Sequence, residues 1–128
     1  MNGMRKRRHS QRLERPALLR EDGTVVCSRC IVAESPLARM RGLLGRRNLP
    51  SGEGLLLRPA GSIHTGFMLF SIDAVFLDRD DVVVKIATDL APWRAAGARH
   101  ARAVLELPAG ECERRGLRVG DRLVLAGE

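Results

Sequence analysis

The sequence predicts a mainly β α+β domain: a small barrel-like or rolled sheet of about six or seven short strands with one main helix. Three observations carry this. Short apolar runs recur between turn signals rich in Gly, Pro and Asp. One segment alone has a sustained helical spacing of apolar residues. Long helical stretches do not alternate with the strands, which argues against a doubly wound fold and for a small barrel or roll.

The elements follow in chain order. Residues 1–15 lack apolar periodicity and are expected to form a disordered basic arm, with a single globular domain over residues 16–127. Asp22 and Gly23 signal a turn, and residues 24–33 read as one β-rich run. Ser35 and Pro36 then open the helix: Ser35 accepts from free N–H groups and Pro36 suits the first helical position. Leu37, Met40, Leu43 and Leu44 share one face, and Gly45 supplies a stop. Residues 48–54 are loop. Strands follow at 55–57, 63–68 and 72–77; the last is apolar on both faces apart from Asp73 and reads as central. Residues 78–81 turn the chain into a strand at 82–86, and 89–98 form a loop. A strand at 101–107, a helical turn within 108–115, a tight turn at Gly120 and Asp121, and a strand at 122–125 complete the chain.

The length, 128 residues, suits one domain that needs no metal or disulfide to fold. The formal charge of +7 is unevenly placed. Residues 1–20 hold seven basic side chains against Glu14, a net +6, so the rest is close to neutral. The arm suits weak contact with nucleic acid or an anionic surface, although it has no aromatic side chain to stack on bases. No apolar run is long enough to span a membrane and none follows the basic start, so the expected location is cytoplasmic. Phosphate-binding glycine motifs are absent.

The cysteines are Cys27, Cys30 and Cys112. Cys27 and Cys30 form a C-x-x-C, but no second ligand pair accompanies them. Within one strand, residues three apart face opposite sides, so these read as ordinary buried or half-buried thiols, with a metal or redox role as the alternative. No metal and no cofactor is expected.

Asp73 is the most informative position. A carboxylate beside a continuous apolar run must find a partner or hold its proton. The candidate partners are Arg41, Arg46 and His64; alternatively Asp73 accepts backbone N–H bonds and locks a turn. His64 lies shortly before Phe67, Phe70 and Phe76, and suits a general base or an anion ligand. Thr65 and Met68 adjoin it. Arg46, at the helix end, neutralises the helix C-terminus or clamps an anion. Trp93, in the 89–98 loop, is a binding hot spot or a plug for the barrel end.

Four segments together resemble a known family: Arg41 to Arg46 (RGLLGR), Ile63 to Thr65 with Phe67 and Met68, Ile72 to Asp78 (IDAVFLD), and Val104 to Gly110 (VLELPAG) with Val119 to Asp121. In order and spacing they are similar to the domain of unknown function family 192, over about residues 24–125. The resemblance implies a compact, mainly β α+β domain and no assigned activity. Leu69 stands where the family usually has a basic or polar residue, and Ser71 where it usually has Pro or Thr. Many relatives look exported or lipid-anchored, which this chain does not.

The leading expectation is a non-catalytic binding or accessory domain, a monomer, serving a small molecule or protein partner through a polar pocket near His64 and Asp73, with Arg46 and Trp93 at its rim. The alternatives are a hydrolase-like enzyme with His64 as base and Asp73 as its orienter, and a polyanion-associated protein acting through its arm.

Overall fold

A computed structural model of the chain describes residues 15–35 and 48–127. The expected helix after Ser35, with Arg41 and Arg46, lies outside the described residues. Ten strands and one short helix are present among them: β1 (Leu18–Arg20), β2 (Val25–Cys27), β3 (Arg29–Ala33), β4 (Glu53–Leu57), β5 (Ser62–His64), β6 (Ile72–Leu77), β7 (Val83–Leu90), β8 (Ala95–Gly97), β9 (Ala103–Pro108), α1 (Glu111–Arg114) and β10 (Leu123–Leu125).

The strands form three sheets, ordered β10-β1-β2, β3-β4-β9-β6-β7 and β5-β8. The mainly β α+β class holds, but no barrel closes. Instead the five-stranded sheet is covered on both faces. Its centre is β6 and β9, antiparallel from Ile72 opposite Pro108 to Leu77 opposite Ala103. Every residue of both strands is buried, as their apolar runs require.

Alternation along the strands sorts the side chains between two layers. Val75, Leu77, Leu105 and Leu107 face the three-stranded sheet and pack with Leu18, Val26, Cys27, Leu123 and Leu125, together with Cys112 and Leu117. On the other face, Leu55, Leu57 and Ile72 pack with Met68, while Ala74, Phe76 and Val104 lie under Ile63 of β5 and Ala96 of β8. Burying each large apolar side chain contributes about 2 kcal/mol, so Phe76, Ile72 and Leu105 together outweigh any single polar contact.

Several details depart from the pattern that the sequence predicts: β1 is an additional strand, the strand expected at 63–68 ends at His64, and β7 runs on to Leu90. The run at 24–33 breaks at Ser28 into β2 and β3, which belong to different sheets. β3 pairs with β4 in parallel, Ile31 beside Leu55, a geometry that needs a long crossover connection. And β8 lies inside the expected 89–98 loop, where Ala95, Ala96 and Gly97 pair with His64, Ile63 and Ser62.

Candidate functional site

Two carboxylates sit in the central strands and meet opposite fates. Asp73 on β6 is fully buried. Its Oδ1 accepts from the Asp89 N–H at 2.9 Å, and its Oδ2 from the Gly110 and Cys112 N–H groups, each at 3.1 Å. The carboxylate thus ties the end of β7 and the start of α1 to the central strand. Of the two readings of Asp73, the one in which it accepts backbone N–H bonds holds. Such donors satisfy a buried carboxylate; His64 is not among them, and Arg41 and Arg46 lie outside the described residues.

Glu106 on β9 is only 5% exposed. It lies between Leu55 of β4 and Ala74 of β6, on the face opposite Asp73. Among the described residues, none donates a hydrogen bond to its Oε2. Burial alone pushes its pKa up to about 7, so the side chain holds a proton well above the usual carboxylate range. Glu106 is absent from the residues that the sequence singles out, although an acid inside the run Val104-Leu105-Glu106-Leu107 carries the same signal as Asp73.

His64 touches neither acid. It is exposed at the end of β5, and its Nδ1 accepts from the Gly66 N–H at 3.3 Å. The ribbon that carries it packs on the Ala74 and Phe76 face, while Asp73 points to the α1 face. The expected His64–Asp73 dyad, and a polar pocket between the two, are therefore not formed.

Thr65, next in the chain, is fully buried and is a fastener rather than a ligand group. Its hydroxyl donates to the Ala91 carbonyl at 2.6 Å and accepts from the Arg94 N–H at 2.8 Å. Its own N–H donates to the Arg94 carbonyl at 2.7 Å, and its carbonyl accepts from Trp93 at 3.0 Å and Met68 at 3.2 Å. Met68 is core, packed with Leu55 and Ile72.

This knot presents an apolar edge. Phe67 and Trp93 are 69% and 65% exposed, and Leu69 is 61% exposed. The two rings meet edge to face with centroids 4.7 Å apart. Both residues hold left-handed backbone, φ 63° each, a conformation that costs about 1–2 kcal/mol in a bulky residue and persists where surrounding bonds impose it. Gly66 sits close beneath this edge: a Cβ there would stand 3.2 Å from His64 Nδ1 and 3.6 Å from Trp93 Cζ3. An open depression of about 450 Å³ runs along the ribbon, lined by Ser62, Ile63, His64, Ala95, Ala96 and Gly97. Of the six expected site residues, the structure thus places His64 and Trp93 at one edge, sends Thr65, Met68 and Asp73 inside, and leaves Arg46 outside the described residues. Among the described residues no cluster of three His, Cys, Asp or Glu side chains could hold a metal ion.

Comparison with known proteins agrees with this scaffold. Residues 17–125 match the model of the domain of unknown function family 192, described as "Uncharacterized ACR". The chain belongs to that family. A UPF0127 protein of Thermococcus sibiricus is 32% identical over 109 residues, 79% of this chain and 68% of that protein. One from Pyrococcus abyssi is 41% identical over 63 residues, 48% of this chain and 53% of its own length. Two crystal structures share the fold. A protein of unknown function from Novosphingobium aromaticivorans has a TM-score of 0.74 and 24% identity, covering 86% of this chain and 83% of that one. A "putative transcription regulator" of Sinorhizobium meliloti has a TM-score of 0.77 and 27% identity, covering 90% and 95%. Neither the family nor these relatives carry an assigned chemistry, and no helix among the described residues is long and apolar enough to cross a membrane.

Proposed function

We propose that this domain is a binding module, and that it engages a protein partner through the edge formed by Phe67, Leu69 and Trp93. The observation that carries this reading is the pair of exposed, mutually packed aromatic rings held in left-handed backbone by the Thr65 knot. Large apolar side chains left in water gain free energy when a partner covers them, and aromatic anchors in a rigid frame lose little entropy on binding. His64 and Arg94, both exposed, border the rings, so the edge suits a partner segment with an apolar anchor and acidic neighbours. The family shows no assigned activity, and the separation of His64 from Asp73 removes the support for a hydrolytic dyad.

The test is retention of protein from an extract of the source cells on the immobilised full chain. A retained species is expected with the wild type and with Val119→Ala, which trims an exposed apolar side chain outside this edge. It is expected to be lost, by about tenfold or more, with Phe67→Ala combined with Trp93→Ala, the loss typical of two truncated hot-spot residues. Equal retention by the double variant, or no retained species with the wild type, contradicts the reading.

A further inference from the structure

The Cys27 and Cys30 thiols take no part in the aromatic edge, and their placement differs from that of two residues on one strand. The bend at Ser28 turns the chain so that both sulfurs point into the same core, each fully buried, while Ser28 and Arg29 between them are exposed. Both thiols therefore lie in one core directly under a surface bend, and the two interact. β2 and β3 are edge strands of their respective sheets, so the bend is also the joint between the two layers.

One loop covers this joint. The Gly52 carbonyl accepts from Cys27 Sγ at 3.4 Å, from Ser28 Oγ at 3.0 Å and from the Arg29 N–H at 2.9 Å. The loop is held in turn by Glu111, whose Oε2 accepts from Ser51 Oγ and from the Gly52 N–H, both at 2.9 Å. Gly52 has φ +89°, and a Cβ there would stand 2.8 Å from Ser28 Oγ, so only glycine lets the loop seat this closely.

We infer that Cys27 and Cys30 are a redox-modification site, a dithiol that closes to an intrachain disulfide and pins the joint between the two sheets, with the Glu111-held Ser51–Gly52 loop as its cover. The co-reactant is a small disulfide of the glutathione class. With the loop displaced, Cys27 loses its proton to water and its thiolate attacks one sulfur of the small disulfide, releasing one thiolate that takes up a proton. Cys30 loses its proton likewise, attacks Cys27 Sγ in the mixed disulfide and releases the second thiolate, which is also protonated. Two S–H bonds are exchanged for one S–S bond, and the small disulfide is reduced to two thiols.

The electrostatics favour this order of events. The hydrogen bond from Cys30 holds the Cys27 thiol below its ordinary pKa, against its burial, while the same contact and burial push Cys30 up. Cys112 is an internal reference. Burial, with Asp73 beside it, pushes its pKa up to about 12, so it stays protonated and inert.

The experiment treats the native full chain with oxidised glutathione, then denatures it and alkylates the remaining thiols. The expected product has lost two hydrogen masses, keeps one alkylatable cysteine, and maps its cross-link to Cys27 and Cys30. Glu111→Gln exchanges a charge-assisted for a neutral hold on the loop and is expected to speed closure about five- to tenfold. Cys112→Ser is expected to close as fast as the wild type. Retention of three free thiols under the oxidant, a cross-link that includes Cys112, or an unchanged rate in Glu111→Gln overturns the inference.

Discussion

Asp73→Ala is expected to destabilise the protein by about 3–5 kcal/mol, read as a lower urea midpoint. The carboxylate accepts three backbone N–H groups, from Asp89, Gly110 and Cys112. Hydrogen bonds to a charged acceptor contribute roughly 1.5–3 kcal/mol each, and a donor left unmade in the interior costs more than the bond returned. The Cys112 N–H is the buried member of the three, so water replaces the lost acceptor least well there. Asp73→Asn is the milder variant, expected at about 2–3 kcal/mol, because its amide keeps one acceptor and turns a donor toward the N–H groups. A variant as stable as the wild type would show that these bonds are not made.

Glu106→Gln is expected to flatten the dependence of stability on pH. The Glu106 pKa is raised from 4.5 to about 7 by burial. The folded state therefore holds this proton more tightly than the unfolded chain does. Its contribution to stability is fully present below about pH 4.5 and is lost as pH rises through 7. At about 1.4 kcal/mol for each pH unit between those two values, the wild type loses about 3 kcal/mol across the interval through this one group. Glutamine has no proton to lose, so the variant keeps a flatter profile, and the gap between the two curves changes by that amount between pH 4 and pH 8.5. The difference of slopes is the readout, because the buried amide adds a pH-independent cost of its own. Parallel curves would mean that the Glu106 carboxylate is stabilised in the fold as well as it is in water.

These two acids also show what the chain discloses before it folds. That Asp73 must be answered by something follows from its place beside an unbroken apolar run. That backbone N–H groups can answer it is legible too; which ones do is not, because the donors belong to residues that the end of β7 and the start of α1 bring in from elsewhere in the chain. Glu106 stands in an equally apolar run and is easily missed, since a single acid in a short strand reads as the solvent side of an alternating pattern. Only the layers on both faces of the sheet bury it.

Strand pattern is legible where side chains pack on both faces, as in β6 and β9. It fails where pairing rather than side-chain chemistry makes the strand. Ala95, Ala96 and Gly97 have no β preference to read, yet they form β8 because Ile63 and its neighbours offer them an edge. The bend at Ser28 is hidden for a similar reason: the apolar run continues through it, and only the assignment of β2 and β3 to different sheets turns Cys27 and Cys30 to the same side. At the candidate edge, His64 and Trp93 are legible as unusual residues, whereas Phe67 reads as core. Its exposure follows from Thr65, whose bonds to Ala91, Trp93 and Arg94 seat the loop with the phenyl ring outward.

Trp93 is the chain's single tryptophan, so its fluorescence reports on the proposed edge and on nothing else. The most direct measurement is its emission and acrylamide quenching in the free, native protein. The expected result is the long-wavelength emission of a hydrated indole, with quenching close to that of the unfolded chain. A short-wavelength emission protected from acrylamide would mean that the ring is covered within the molecule, and no aromatic edge would remain for a partner to grasp.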